Sequence, residues 1–404
     1  MRILIVGETY YPGSNGQAAF TIRLAEGLAD QGHQVMVMVP GARLAVSEEN
    51  IHGVRVFRLP AISIGLFHPE TYMALPAPWL VAQVIDSFHP DVVHIQDHYP
   101  TARAVVSLAR RRKLPIVGTN HFLPENVLPY FNFVPLHQST KVWILWQTMR
   151  NVYRHARIIT TPTETAARIL REQKLGSPVH PISCGVDTTR FRPLPDLDRA
   201  AVRRKYGLHP DRALILYVGR LDGEKRIDLL IHALHLLRRS DVHLCITGKG
   251  ALGGALTSLT HRLHLDEQVT FTGYVPAEEL PSLLNSADLF AMPSPQELQS
   301  IATLEAMATG RPILAANARA LPELVAHGVN GYLFRPDDPQ DAALWMARLL
   351  DERDRWPAMG QASLERARAH SLENTIRSYC EVYRTLIDGR VFVPHPATER
   401  SLTT

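Results

Sequence analysis

The sequence predicts an α/β protein built from two doubly wound domains. Three observations carry that expectation. Apolar runs of strand length alternate with helical patterns along most of the 404 residues, the signature of βαβ units and parallel sheets. The alternation stops at a stretch rich in proline and charge, DTTRFRPLPDLD (187–198), and then starts again. The length is enough for two domains of ordinary size.

In the first series the strands read RILIVG (2–7), QVMVMV (34–39), DVVHIQ (91–96), PIVGTN (115–120) and RIITTP (157–162). Between them AAFTIRLAEGLADQG (18–32) and TARAVVSLARRR (101–112) repeat apolar residues at helical spacing. The second series reads ALILYVGR (213–220), VHLCITG (242–248), QVTFTG (268–273), ADLFAMP (287–293) and RPILAA (311–316). After residue 337 the pattern is helical only, and the tail beyond Asp388 has no apolar periodicity to hold it. The expected division is 1–190, 191–370, and a C-terminal helix and tail over 371–404, with DTTRFRPLPDLD as linker.

Composition fits a soluble globular chain, 46% hydrophobic and 20% charged. The first apolar run, ILIV (3–6), is too short for a signal sequence or a membrane span. The three cysteines (184, 245 and 380) are widely spaced and odd in number, which suggests neither a disulfide framework nor a zinc site. A cytoplasmic location is the expectation. The net charge of +4 is unevenly held: residues 1–195 carry 19 Lys and Arg against 13 Asp and Glu, and the remainder 24 against 26. A basic first half suits an anionic partner, whether a membrane surface, a nucleic acid or a phosphorylated substrate. Scattered solvated charge explains it equally well.

Open parallel sheets bind ligands at the carboxyl ends of their strands, so the chemistry belongs in the loops that follow strands. The first such loop, ETYYPGSNGQ (8–17), opens a helix, but Gly7, Gly13 and Gly16 do not form G-x-G-x-x-G. It reads as a phosphate approach at a helix N-terminus or as an ordinary turn. In VGRLDGEKR (218–226), Arg220 and Lys225 suit a diphosphate, unless the loop pairs its own charges through Asp222 and Glu224. The most specific stretch is ELQSIATLEAMATG (297–310). Ser300 predicts an N-cap, with a helix from Ile301 to near Gly310 and Pro312 just beyond. That places Glu305 on the apolar face with Ile301, Leu304 and Ala308. The N–H groups of Gln299, Ser300 and Ile301 would offer donors to an anion. Glu297 could then accept from sugar hydroxyls, and Glu305 from both hydroxyls of a ribose; a carboxylate paired with an arginine is the alternative. His121, after PIVGTN, and Asp97 with His98, in the loop opened by DVVHIQ, sit at equivalent strand ends, where a lone histidine is more often structural.

Taken together, these residues resemble the retaining glycosyltransferases of family 4. The resemblance runs over nearly the whole chain and includes GLADQGHQVMV (27–37), ISCGVDTTRFRP (182–193), YVGRLDGEKR (217–226), FTGYVPAEEL (271–280) and ELQSIATLEAMATGRPILA through LPELVAHGVNGYLF (297–334). It implies the GT-B fold, with two Rossmann-like domains facing across a cleft and C-terminal helices returning toward the first. The first domain would bind the acceptor and the second the nucleotide sugar. By the same resemblance Glu297 holds the donor sugar, Glu305 the ribose, and Arg220 with Lys225 the diphosphate. Gly16 matches the glycine near the phosphates, Tyr274 and Val275 the loop whose backbone reads the base, and His121 the histidine beside the transferred sugar. Glu297, His121, Arg220 and Lys225 are thus the expected catalytic set. Gln299, Ser300 and Ile301 complete the donor side, and Asp97, His98 and His121 form the acceptor side. Two departures stand out: Leu298, Gln299 and Ser300 replace the usual Gly-Phe-Gly, and Asn15 with Gly16 replaces a pair of glycines.

The expected reaction moves a hexose from a nucleotide-diphosphate sugar, UDP-glucose or a similar donor, to an acceptor hydroxyl with retention. No cofactor, metal or nucleic acid is expected, because Arg220, Lys225 and a helix N-terminus already oppose the diphosphate charge. The expected acceptor is a membrane lipid such as diacylglycerol, reached by a peripheral protein on the inner face of the membrane. That expectation rests on YFNFVPL (130–136) leading into KVWILWQTMRNVYRHAR (141–157). There Val142, Leu145, Trp146, Met149 and Tyr153 make a core stripe, while Trp143, Gln147, Arg150 and Arg154 mix an aromatic with cations. RRRK (110–113) adds attraction to anionic lipid. A solvated helix face beside a loop covering the cleft is the alternative. The rival functions are transfer to a soluble or polysaccharide acceptor, sugar-nucleotide epimerisation, and non-catalytic sensing of a sugar nucleotide.

Overall fold

The computed structural model describes residues 1–11, 15–64, 72–128 and 135–392. Gly13, most of YFNFVPL and the tail beyond residue 392 lie outside them. The chain separates into two compact units, Met1–Ser183 with the chain from Thr375 on, and Cys184–Asn374.

In the first unit the strands are β1 (Arg2–Val6), β2 (Gln34–Pro40), β3 (Ser47–Ile51), β4 (Val54–Leu59), β5 (Ala61–Ser63), β6 (Tyr72–Ala74), β7 (Val92–Ile95), β8 (Ile116–Thr119), β9 (Ile158–Thr161) and β10 (Val179–Pro181). Among the described residues, eight of them form one sheet in the order β10-β9-β8-β7-β1-β2-β4-β3, parallel except at the β3–β4 edge, and β5 pairs with β6 apart from it. All four residues of β7, β8 and β9 are buried, with no polar–apolar alternation. Both faces of such a parallel sheet are covered, which is why these strands read as continuous apolar runs. The helices Gly16–Asp30, Pro100–Arg111 and Gln138–Tyr153 start two, one and three residues before the expected positions. β3 has the sequence SEENI and is exposed at its first four positions, so it carried no apolar pattern.

From β1 the chain winds outward to β2 and β4, then crosses back to lay β7 on the other side of β1, with Ile3 opposite Val92 and Val6 opposite Ile95. The winding reverses there. Crossovers leave β1 and β7 in opposite directions, so the space above their carboxyl ends stays uncovered by either.

The second unit repeats the design with β11 (Ala213–Val218), β12 (Val242–Thr247), β13 (Val269–Gly273), β14 (Leu289–Met292), β15 (Ile313–Ala316) and β16 (Gly331–Phe334). Their order, β13-β12-β11-β14-β15-β16, is parallel throughout, and the reversal falls between β11 and β14. Beyond β16 the described chain is helical, as expected.

The division between units departs from expectation. DTTRFRPLPDLD is a packed arm of the second unit rather than a linker. Asp187 Oδ1 accepts from the backbone N–H of Thr189 at 2.9 Å and of Arg190 at 3.1 Å. The Asn285 side chain accepts from the Leu194 N–H at 2.9 Å and donates to the Arg192 carbonyl at 3.0 Å, and Phe191 is buried in the second core. The chain is pinned even earlier, where the Val186 N–H donates to the His370 carbonyl at 2.8 Å and the Leu372 N–H to the Val186 carbonyl at 2.9 Å. Most of the C-terminal helix Leu372–Ile387 belongs to the first unit, in whose interior Tyr379 and Tyr383 are fully buried. Truncating a buried phenylalanine costs about 3–5 kcal/mol. Phe191→Ala is therefore expected to lower the urea midpoint of the full chain by a corresponding amount, whereas an unchanged midpoint would restore the linker reading.

Candidate functional site

In the second unit the loop after β11 starts at Gly219 and closes in a short 3-10 turn, Gly223–Lys225. It rests backbone to backbone on the loop after β12: the Leu221 N–H donates to the Lys249 carbonyl and the Leu252 N–H to the Leu221 carbonyl, both at 2.9 Å. A Cβ on Gly248 would lie 1.9 Å from the Gly219 carbonyl oxygen, and one on Gly250 2.5 Å from the Leu221 backbone. Gly248 also has φ +136°, in the region that favours glycine. These two glycines set the height of the Arg220 loop. Sequence reasoning passed over them, although ITGKG directly after a strand was a usable signal.

Arg220 lies between two carboxylates of its own loop, Asp222 at 2.5 Å and Glu224 at 2.6 Å. The self-paired arrangement weighed from the sequence is therefore the one present. Lys225 reaches across the winding reversal to Glu297, in the loop after β14, at 2.7 Å, and stands 3.8 Å from Glu224. Burial works against the Lys225 charge, but the charge and hydrogen bond of Glu297, with Glu224 behind them, hold its pKa above the ordinary lysine value. The Ser294 hydroxyl fastens the two loops by donating to the Glu224 carbonyl at 3.2 Å.

The helix Ile301–Ala308 begins as expected, with the Ser300 hydroxyl oxygen accepting from the Thr303 N–H at 3.2 Å. Glu305 is buried on it beside Leu304 and Ala308. The departure from Gly-Phe-Gly acquires a physical reason here. Leu298 is buried, Ser300 is the cap, and the Gln299 side chain turns inward, where its Oε1 accepts from the Cys184 N–H at 2.7 Å. The bulk faces away from the loop's outer backbone. Tyr274 and Val275 follow Gly273 at the end of β13; Val275 is buried, and Tyr274 is 65% exposed. They share the carboxyl edge of the sheet with the other loops.

In the first unit Gly16 opens the helix Gly16–Asp30, and Asn15 caps it by accepting from the Ala18 N–H at 2.9 Å. A Cβ on Gly16 would meet nothing within 4 Å, so packing does not demand glycine there. Asp97 is buried and satisfied by the protein: Oδ2 accepts from the Glu8 N–H at 2.8 Å and the Gln17 amide at 2.9 Å, and Oδ1 from the Tyr99 N–H at 3.1 Å. Its carboxylate orders the crevice walls. Glu8, absent from the sequence-based candidates, stands at the carboxyl end of β1, where its Oε1 accepts from the Thr101 N–H at 3.1 Å and its buried Oε2 has no partner among the described residues. Burial, then the neighbouring Asp97 charge, pushes the Glu8 carboxyl well above the usual carboxylate range. Burial also raises Asp97. His98 is buried, stacked on Tyr99 at 4.8 Å, and held down to about 3 by burial and by Arg103. His121 is partly exposed, packs on Phe20 at 4.9 Å, and bonds through Nε2 to the Gln96 side-chain oxygen at 2.7 Å. Burial pushes its pKa down to about 3, so the ring is neutral.

Comparison with known proteins adds two family profiles and several relatives. Residues 14–190 match the profile described as Glycosyltransferase Family 4, and residues 198–366 that described as Glycosyl transferases group 1. A GDP-mannose-dependent alpha-mannosyltransferase of Corynebacterium glutamicum is 26% identical over 96% of this chain and 89% of its own. An alpha-monoglucosyldiacylglycerol synthase of Streptococcus pneumoniae is 24% identical over 83% and 75%. Among solved structures, a sucrose-phosphate synthase from Thermosynechococcus elongatus superposes with a TM-score of 0.78 at 21% identity, over 96% of this chain and 99% of that one. That likeness is one of fold.

The raised Glu8 carboxyl makes stability depend on pH in a definite direction. An unfolded chain ionises this group near 4.5, whereas the folded chain keeps the proton to higher pH. Over that interval the native state binds more protons, so stability falls as pH rises, by at most about 1.4 kcal/mol per unit. The depressed histidines act in the opposite sense, but only below their unfolded pKa of about 6.5. Between about pH 6.5 and about pH 8 the denaturant midpoint of the wild type should thus fall relative to that of Glu8→Gln, in which the histidine contributions are the same. Parallel pH dependence in the two proteins would remove Glu8 from the account.

Proposed function

We propose, for a chain that belongs to glycosyltransferase family 4, that it transfers a hexose to an acceptor hydroxyl with retention of anomeric configuration. Membership makes the protein a glycosyltransferase of GT-B type acting on nucleotide sugars. The observation that carries the finer reading is the Lys225–Glu297 pair, which spans the winding reversal of the second unit with Glu305 buried on the helix just beyond.

In this reading the acceptor oxygen bonds to the anomeric carbon as the bond from that carbon to the diphosphate breaks. The electron pair leaves with the diphosphate, whose charge rises. Lys225, Arg220 and the backbone N–H groups of Gln299, Ser300 and Ile301 are the groups that answer that charge. Attack comes on the face the leaving group departs from, and the departing phosphate takes the acceptor's proton. Glu297 holds the sugar hydroxyls while Lys225 fixes its carboxylate. Glu305 holds the ribose, and the backbone of Tyr274 and Val275 the base. Gly16 lets a phosphate approach; His121, with His98 and the walls ordered by Asp97, serves the acceptor. UDP-glucose remains the first donor to try. GDP-mannose is the second reading, favoured by the name of the Corynebacterium relative.

Arg220→Ala and Glu305→Ala should each lower transfer by about 10²–10³ with the fold kept, as loss of one preorganised contact does. The same assays run in EDTA should leave the wild-type rate intact, since fixed cations take the place of a metal. Near-normal turnover in either variant would sink the site assignment, and a rate lost in EDTA but restored by Mg²⁺ would sink the metal-free mechanism. An epimer formed without acceptor, or absence of any turnover, would favour the rival functions.

The acceptor is proposed to be a lipid at a membrane surface. Among the described residues no helix is long and apolar enough to cross a membrane, so the protein would lie on the bilayer. The helix Gln138–Tyr153 buries Trp146, Met149, Val152 and Tyr153 and leaves Trp143 61% exposed, with exposed Ile144 beside it. Arg154 is exposed, but Arg150 turns inward to donate to the Gln173 carbonyl at 2.9 Å. Within RRRK, Arg112 is held by both oxygens of Asp86, at 2.6 and 2.7 Å, leaving Arg110, Arg111 and Lys113 as the basic run. The name of the Streptococcus relative supports a lipid acceptor. Flotation with anionic liposomes should show binding that weakens with salt and drops in a Trp143→Ala, Arg111→Ala, Arg154→Ala variant, each lost cation costing about 1 kcal/mol. Failure to float at low salt, with transfer to a soluble acceptor intact, would overturn the lipid reading.

A further inference from the structure

His121 is one member of a chain of buried polar groups that runs through the first unit to the C-terminal helix. Gln96, fully buried, bonds by its side-chain oxygen to His121 Nε2 at 2.7 Å and by its nitrogen to His94 Nε2 at 3.2 Å. His94, also fully buried, meets the Thr119 hydroxyl at Nε2 (2.6 Å) and the Tyr383 hydroxyl at Nδ1 (2.7 Å). Thr119 in turn lies 2.6 Å from the Thr160 hydroxyl, which lies 3.0 Å from that of Tyr379. Both tyrosines come from the helix Leu372–Ile387.

The donors in this chain are consistent in one direction. In the assignment adopted here Tyr379 donates to Thr160, Thr160 to Thr119, and Thr119 to His94 Nε2. With its Nε2 accepting from both Thr119 and the Gln96 NH₂, His94 carries its proton on Nδ1 and gives it to Tyr383. In that assignment the Gln96 NH₂ faces His94 and its carbonyl oxygen faces His121, which calls for a proton on His121 Nε2. A neutral imidazole holds one proton, so Nδ1 of His121 keeps a lone pair.

We propose that Gln96 is a positioning residue that fixes His121 as the Nε2–H tautomer and presents Nδ1 as a hydrogen-bond acceptor to a hydroxyl of the bound substrate. The proposal rests on His121 lying beside the transferred sugar or the acceptor. Burial keeps both rings uncharged, with pKa values near 3, so the ring accepts a hydrogen bond and orients a hydroxyl without taking its proton. The other tautomer would turn a donor toward the same hydroxyl and reverse the pairing. Partners that fix the tautomer and orientation of metal-bound histidines are worth about 10- to 100-fold in activity, and a loss of that order is expected here.

The test is made on the full chain labelled with ¹⁵N-histidine, with His121 assigned through His121→Ala. Two-bond ¹H–¹⁵N correlations at neutral pH should show the wild-type ring as the Nε2–H tautomer alone. Gln96→Met, close in volume but without the amide, should mix the tautomers. Gln96→Glu, which keeps the shape and the acceptor facing His121 but not the donor to His94, should bring the His121 titration up toward neutrality by setting a carboxylate against it. Both should lower kcat by about 10-fold or more, with less change in the KM of the donor. An Nδ1–H tautomer in the wild type, or a ratio untouched in Gln96→Met, overturns the proposal. So does full turnover in Gln96→Met while His121→Ala is crippled; the placement of His121 then stands and only the role of Gln96 falls. Full turnover in His121→Ala instead overturns the placement of His121 and the proposal with it.

Discussion

A parallel sheet wound outward in both directions from its middle must leave two adjacent strands whose crossovers part company. Everything chemical in this protein depends on that constraint. In the first unit it falls between β1 and β7, and in the second between β11 and β14. The loops that follow these strands line both points. Lys225 meets Glu297 there, and Glu8 meets the same local problem beside Asp97. Residues 72 and 89 positions apart in sequence are thereby brought within hydrogen-bond reach.

The two crevices handle charge in contrasting ways. The second unit concentrates ions: Arg220, Lys225, Asp222, Glu224 and Glu297 contact one another, and each charge lies against its opposite. The first unit suppresses ions. His94 within β7, and His98 and His121 in the loops beyond β7 and β8, are held neutral by burial, and Glu8 and Asp97 are raised toward the protonated state.

The fold was largely legible because its core strands are buried on both faces and read as unbroken apolar runs. The edge was not: SEENI in β3 offers a polar surface to solvent, and only the neighbouring strand reveals it. Local chemistry was legible where it is local, as in the Ser300 cap and the burial of Glu305 one helical turn later. What escaped was tertiary. Nothing in the order of residues shows that Gln299 turns inward to Cys184, that Phe191 belongs to a core, or that Asp86 occupies Arg112. Glu8 left a readable trace, a carboxylate at the end of the first strand, but its unusual protonation depends on Asp97 and on burial. Gln96 left none, since an amide declares its partners only when they are in place.

The paired backbone at Val186, His370 and Leu372 has a consequence for how such proteins are assembled and exchanged. The chain enters the second unit at Cys184 and leaves it after Asn374, and these two passages are hydrogen-bonded side by side. Residues 184–374 are therefore an insertion with adjoining ends, the arrangement in which domains are most readily transplanted. A chimera that takes its second unit from a different parent needs to match one small patch of backbone rather than two distant junctions. Gln299 ties the loop after β14 into that patch through the Cys184 N–H. A transplanted cassette must bring its own clamp at this position, or the seam and the loop will loosen together.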